Sequence, residues 1–332
     1  MNAKSSPGIV AWIQSFGQRY QTGRAQEQIV RQATDMIVEV ADSGIRQLGR
    51  YRKILRSPVA GAMEYCATLV DSIPGPVRLS RQQYHADPLV KAIFSSADEL
   101  EEVLRIVPEN RDLPDHEKQR DFIALLTMAK KEKTIFRHQQ QGDIILRDVK
   151  SRTVNFSDHR LVAPSSTMDN SKELLRHRAL EVLATIAMEQ IASFRGNLAE
   201  LRERREHLKS MRRIFGGRKH TQELFAGPDR ETAEKLRKVK KLLTEIEAEI
   251  ETARQEFGTP EDALALLQKI MNQPEDALVT RDQTMRVDWM NVLVDGNDAE
   301  GNEISLAELS VTDELQRSAV LVEFSLPGSG IN

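Results

Sequence analysis

Two long, highly charged helical stretches lie back to back between segments with strand-like alternation. The first runs from about Glu173 to Phe215 and the second from about Arg230 to Phe257. The second carries the cleaner repeat: Leu236, Val239, Leu243, Ile246, Ile250, Ala253 and Phe257 follow steps of three and four. That spacing is a coiled-coil seam over about three heptads. The first stretch offers Leu180, Leu183, Ala187, Ile191, Phe194, Leu198, Leu201, Leu208 and Phe215, with Arg205 and Arg212 near seam positions. Three heptads are marginal alone, so each stripe must be buried against the other or against a partner. Between the stretches, Gly216-Gly217 through Gly227-Pro228 reads as a break. The expectation is an antiparallel helical hairpin that projects from a small β-containing body. At 1.5 Å per residue, an arm of about 40 residues would extend about 60 Å.

The far end of this hairpin is basic. Arg202, Arg204, Arg205, His207, Lys209, Arg212, Arg213, Arg218, Lys219 and His220 face only two acids, Glu203 and Glu206. A basic helix end can touch phosphate without reading sequence. Charge runs on long helices are also common as solvated faces paired at i, i+4. Arg202, Arg204, Arg205, Lys209, Arg212, Arg213, Arg218 and Lys219 are therefore the candidate contact residues for a protein or nucleic-acid partner. The chain as a whole is close to neutral at a formal −3, so the charge asymmetry is local.

The region before Arg137 reads as helices. Ile29, Ala33, Ile37, Val40, Ala41, Ile45 and Leu48 place one amphipathic helix over Gln26 to Leu55. Ser57-Pro58 reads as the start of the next, which carries Met63, Cys66, Leu69 and Val70. Asp87-Pro88 is an N-cap signal, and Ser96 with Glu99 has capping-box spacing. Pro114-Asp115 reads as the start of a helix through Phe122, Leu125, Leu126 and Met128. Its end would be the basic run Lys130-Lys131-Glu132-Lys133, where cations complement the helix dipole.

Near Gly142 the pattern changes. Ile144 to Leu146, Val154 with Phe156, and Leu161-Val162 read as short strands joined by turns at Lys150 to Arg152 and at Ser157-Asp158. Pro164 to Asn170 is a polar linker into the first helical arm, and Thr259 to Asp262 caps a short helix after the second. Alternation returns at Met285, Val287 and Trp289 and at Val320, Val322, Phe324 and Leu326. The fold class expected is α+β, predominantly α. Residues 1–137 would form a helical domain, 142–165 with 276–327 a small mixed or antiparallel β-body, and 171–272 the inserted hairpin with its basic tip near 202–220.

Motifs for chemistry are absent. There is no phosphate-cradling loop, dinucleotide glycine fingerprint, nucleophile elbow or paired-cysteine zinc spacing. The single cysteine, Cys66, excludes an intrachain disulfide and fits a buried apolar position. Asp158-His159-Arg160 is the most enzyme-like triplet, but neighbours on a strand face opposite ways. Asp295, Asn297 and Glu300 miss the spacing of a calcium loop. No catalytic residue, metal or cofactor is assigned. The absence of an apolar run of about 20 residues, and of a signal-peptide pattern, places the protein in the cytoplasm. The function expected is a non-enzymatic scaffold or adaptor that presents the hairpin to other proteins, self-association included. The alternative is a nucleic-acid or ribonucleoprotein factor that uses the basic tip. The third reading is an enzyme with an unfamiliar site, which a pocket around His159 and Asp158 would favour.

Overall fold

A computed structural model describes residues 23–105, 121–141, 144–225, 230–294, 301–312 and 315–325. It is a mixed fold that combines a long helix with a largely antiparallel sheet. The elements in chain order are α1 (Gly23–Ala41), a 3-10 turn (Ser43–Gln47), α2 (Tyr51–Asp71), β1 (Val77–Leu79), α3 (Arg81–Ala86), α4 (Pro88–Ile93), α5 (Ala97–Arg105), β2 (Asp121–Gln141) and β3 (Ile144–Ser165). There follow α6 (Met168–Phe225), α7 (Arg230–Glu256), α8 (Pro260–Asn272), β4 (Leu278–Val287), β5 (Asn302–Val311) and β6 (Leu315–Ser325). The chain divides into two compact units. One comprises 1–28, 60–182 and 273–332; the other comprises 29–59 and 183–272.

The first unit is built on the sheet, with strand order β3-β2-β6-β5-β4 and β1 paired in parallel with Val322–Phe324 of β6. β2 and β6 lie in its middle, and both bury consecutive residues. Ala124 through Met128 and Ser318 through Val322 are shielded on both faces. One face carries the main core. Ala124, Leu126 and Met128 of β2, Val320, Val322 and Phe324 of β6, and Val154 and Phe156 of β3 pack with Val90, Ile93, Phe94, Leu100 and Leu104 from α4 and α5. The helices are held at their starts as their sequences require. Asp87 accepts from the Leu89 amide at 2.8 Å, and Ser96 Oγ accepts from the Glu99 amide at 3.1 Å. Glu99 returns a bond one residue earlier than a standard capping box, accepting from the Ser95 amide at 2.7 Å.

The helix expected over Phe122 to Met128 is a strand. A run of apolar residues buried on both faces has no period, so spacing cannot separate a central strand from a buried helix. Pro114-Asp115, the start assigned to it, lies outside the described residues. The short strands expected over 144–163 are one long strand, β3, paired with β2 along its length. Its irregularities fall at Asp148, Asp158 and Ala163, which adopt positive φ, and not at the polar triplet Lys150 to Arg152.

In the second unit, Leu198 and Leu208 of α6 share one buried cluster with Val239, Leu243, Ile246 and Ile250 of α7. Leu201, Met211, Phe215 and Ala253 pack against it. Phe194 stacks on Phe257 with ring centroids 5.0 Å apart. The diglycine does not end the helix: α6 continues through Gly216 and Gly217 to Phe225. Each glycine costs about 1 kcal/mol relative to alanine, too little to outweigh the packing of Phe215 beside it. The chain reversal expected near that diglycine is therefore not there, and Gly227-Pro228, the far end of the expected break, lies outside the described residues. The single helix expected over Gln26 to Leu55 is split at Asp42, whose carboxylate accepts from the Gly44 amide at 3.0 Å and pairs with Arg195. Pro58 sits inside α2 instead of opening a helix. The lost backbone bond costs about 3 kcal/mol, which burial of Leu55 and Val59 on either side offsets. At α8, Asp262 accepts from the amides of Gly258 and Thr259, so hydrogen bonding, the Gly258 amide foremost, holds its carboxyl below the ordinary value.

The turn into β1 depends on Gly75. Its φ is +119°, and a Cβ there would collide with the Leu321 carbonyl. Leu321 in turn donates its amide to the Pro74 carbonyl at 2.8 Å. The expected effect of Gly75→Ala is a loss of more than about 2 kcal/mol, read as a lower urea midpoint. An unchanged midpoint would contradict this geometry.

Candidate functional site

The basic stretch of α6 presents an ordered stripe. At 100° per residue, Arg202, Arg205, Lys209, Arg212 and Arg213 fall within about 100° of one another, beside the apolar line of Leu201, Leu208 and Phe215. Arg204 points away from that stripe by the same count. Arg202, Arg204, Arg212 and Arg213 are exposed. Arg205 and Lys209 converge on Glu206, at 2.8 and 3.0 Å. Those two bonds, from Lys209 and then Arg205, hold the Glu206 carboxyl below its ordinary value. The side chains of Arg218 and Lys219 lie outside the described residues.

His159 and Asp158 do not work as a pair. The imidazole is 2% exposed and stacks on Phe94. Its Nε2 donates to the Ile93 carbonyl at 2.8 Å, and its Nδ1 faces Glu99 at 3.5 Å. Both nitrogens are engaged with α4 and α5, so the ring ties those helices to β3. Asp158 sits at the irregularity of β3 with a φ of +54° and meets Arg317 Nη1 at 2.7 Å and Arg160 at 3.0 Å. The Arg317 bond leads in holding the Asp158 carboxyl below its ordinary value. Arg317 also reaches the Thr127 hydroxyl and carbonyl, each at 3.3 Å, so one β6 side chain clamps β2 and β3.

A second charged cluster was not anticipated from sequence. Asp71, at the end of α2, binds Lys172 at 2.9 Å and Arg176 at 3.0 Å, both from the start of α6. Burial draws the Asp71 carboxyl upward, but the Lys172 hydrogen bond and the Arg176 charge outweigh it and leave it below 3.8. Glu173 faces the same Arg176 at 3.4 Å, yet burial dominates and raises its carboxyl. Burial likewise lowers His177, against the pull of Glu181. The residues involved are a hundred positions apart in the chain, and no local spacing announces them.

Among the described residues, the cavities on the sheet unit include two that none of these titratable groups lines. One, of about 430 Å³, is lined by Glu275, Asp276, Arg281 and Thr312 among others. The other, of about 340 Å³, is lined by Lys130, Glu132, Arg152 and Arg286 together with Met285 and Leu293. Among the described residues, no group of three or more His, Cys, Asp or Glu side chains is arranged to hold a metal ion. Cys66 is buried, and burial alone raises its thiol to about 12, which suits an apolar core position. Among the described residues, no helix is long and apolar enough to cross a membrane. No protein-family model, curated protein or solved structure matches the chain.

The Asp71 cluster carries a pH-dependent contribution to stability. Its folded value is depressed, so the contribution is present above 3.8 and is lost as pH falls through the lower folded value. Asp71 is 47% exposed, so solvent screening limits the expected loss in Asp71→Asn to about 0.5–1 kcal/mol at pH 7. Thermal melts across pH should show the wild-type and variant curves converging below pH 3.8. A constant gap at all pH values would contradict the ion-pair reading.

Proposed function

We propose that this protein is a non-enzymatic, cytoplasmic scaffold or adaptor. In this reading α6 and α7 form an antiparallel, coiled-coil-like hairpin that presents an outer face to partner proteins, a second copy of the chain included. The hairpin is the arm over 171–272, inserted in sequence between the two halves of the small β-body, 142–165 and 276–327. The observation that carries the reading is the distribution of apolar side chains on the two helices. Leu198, Leu208, Val239, Leu243, Ile246 and Ile250 are consumed in a common seam, while Ile214 and Leu242 remain exposed outside it. Exposed large aliphatics flanking a saturated seam are the anchors a partner helix or groove would cover. The engagement of both His159 nitrogens supports a binding role over an enzymatic one.

A second reading has its own support. The stripe of Arg202, Arg205, Lys209, Arg212 and Arg213 gives α6 a basic tip suited to phosphate. Affinity purification with and without nuclease separates the two. For the scaffold reading, partners are retained after nuclease and lost from Ile214→Glu/Leu242→Glu. For the tip reading, partners are lost after nuclease and lost from Arg204→Glu/Arg205→Glu/Arg212→Glu/Arg213→Glu. Partners indifferent to both variants would overturn both readings.

A further inference from the structure

β2 pairs with β6 only as far as Met128, opposite Ser318. β3 receives a last lateral contact where Thr153 bridges Val292 and the Arg152 carbonyl accepts from the Leu293 amide. Beyond these points, among the described residues, β2 and β3 pair only with each other, through Ile135 with Ser151 and Phe136 with Lys150. The result is a two-stranded ribbon that leaves the edge of the sheet. A ribbon of two strands is marginal in water and buries no core of its own. Its residues are therefore unexplained by the fold.

Those residues are cationic. From Lys130 to Arg152 the sequence holds seven Lys or Arg and three Asp or Glu, in a chain whose net charge is −3. Strand alternation places Lys131 and Lys133 on one face and Phe136, Lys150 and Arg152 on the other. Lys131, Lys133, Lys150 and Arg152 are exposed, and Phe136 is 69% exposed between them. At the root, the 340 Å³ cavity continues the second face, with Lys130, Arg152 and Arg286 along it. Glu132 braces Lys130 at 3.1 Å and Arg152 at 3.5 Å.

We propose that this ribbon is a duplex-DNA-binding arm. Two strands about 4.8 Å apart, with their side chains, fill a major groove about 12 Å wide. Cations on opposite faces then meet the two phosphate walls at once, which a single acidic protein surface could not satisfy. The deep, narrow major groove of A-form RNA does not admit such a ribbon. Phe136, on the same face as Lys150, would lie against the sugars of the wall that Lys150 meets. The proposal is independent of the helical scaffold reading, because every residue it uses lies in the sheet unit.

The test is fluorescence anisotropy of the full chain with a short labelled DNA duplex, titrated at several salt concentrations. Wild type should bind with log affinity falling linearly with log salt. Lys131→Glu/Lys133→Glu/Lys150→Glu should weaken binding at least ~10-fold and reduce the salt slope by about 3. Charge reversal at Lys238 and Lys241, exposed on α7, should leave binding unchanged. The proposal is overturned if wild type ignores DNA, if it takes polyglutamate in preference, if the ribbon variant binds like wild type, or if the α7 variant weakens binding as much as the ribbon variant. Should the ribbon variant not fold, Phe136→Trp decides. Its added emission should shift when duplex is added, and an unshifted emission overturns the proposal.

Discussion

Strand β2 has two environments along one length, and the sheet unit is organised by that difference. Over Ile123–Met128 it is paired with β6 on one side and β3 on the other. Its odd and even residues are both buried there, so Ala124, Leu125, Leu126 and Met128 fix the sheet on both faces. Past Met128, among the described residues, β2 pairs only with β3, and the same strand turns polar. The change coincides with a register shift between Thr127 and Ala129, where β3 carries an extra residue and Asp158 adopts a φ of +54°. Arg317 closes this point from β6 by bonding Thr127 and Asp158 together. An extra residue bends a strand and increases its twist, so the clamp sets the direction in which the ribbon departs.

The other elements of the unit follow from this central pairing. The even-numbered side chains of β2 and β6 provide the floor on which α4 and α5 are seated. His159, one residue past the bulge, then ties those helices to β3 through the Ile93 carbonyl and Glu99. A residue that resembles a catalytic histidine in sequence is thus a fastening in the fold. The turn Asp288 to Val292 performs a similar service on the other side. Asp288 accepts from the Met290 and Val292 amides, and the Asn291 side chain donates to the Ala92 carbonyl at 2.9 Å. That turn leaves Trp289 75% exposed.

Where local rules determine structure, the sequence was legible. Asp87, Ser96 and Thr259 stand at helix starts because each offers an oxygen to a free amide two or three residues on. The buried residues of α7 are legible because Val239, Leu243, Ile246 and Ile250 keep a strict step of three and four. Strand alternation located β6 and part of β4. The misreadings share a cause. Ala124 to Met128 is buried on both faces and has no period, and Lys130 to Lys133 then looked like a helix C-terminus when it is the root of a ribbon. Gly216-Gly217 reads as a break by propensity alone, and the packing of Phe215 beside it overrides that preference. The contacts of His159 with Ile93 and of Arg176 with Asp71 join residues far apart in the chain, and no local signal encodes them.

Amide-resolved hydrogen exchange tests the division of β2 most directly. The account predicts the slowest exchange at Ala124 to Met128, limited by global unfolding. It predicts an alternating pattern over Lys131 to Phe136, where every second amide bonds β3 and opens locally while the others face away from it. Free exchange at every amide from Lys131 to Phe136, or protection there equal to that of Ala124 to Met128, would contradict it.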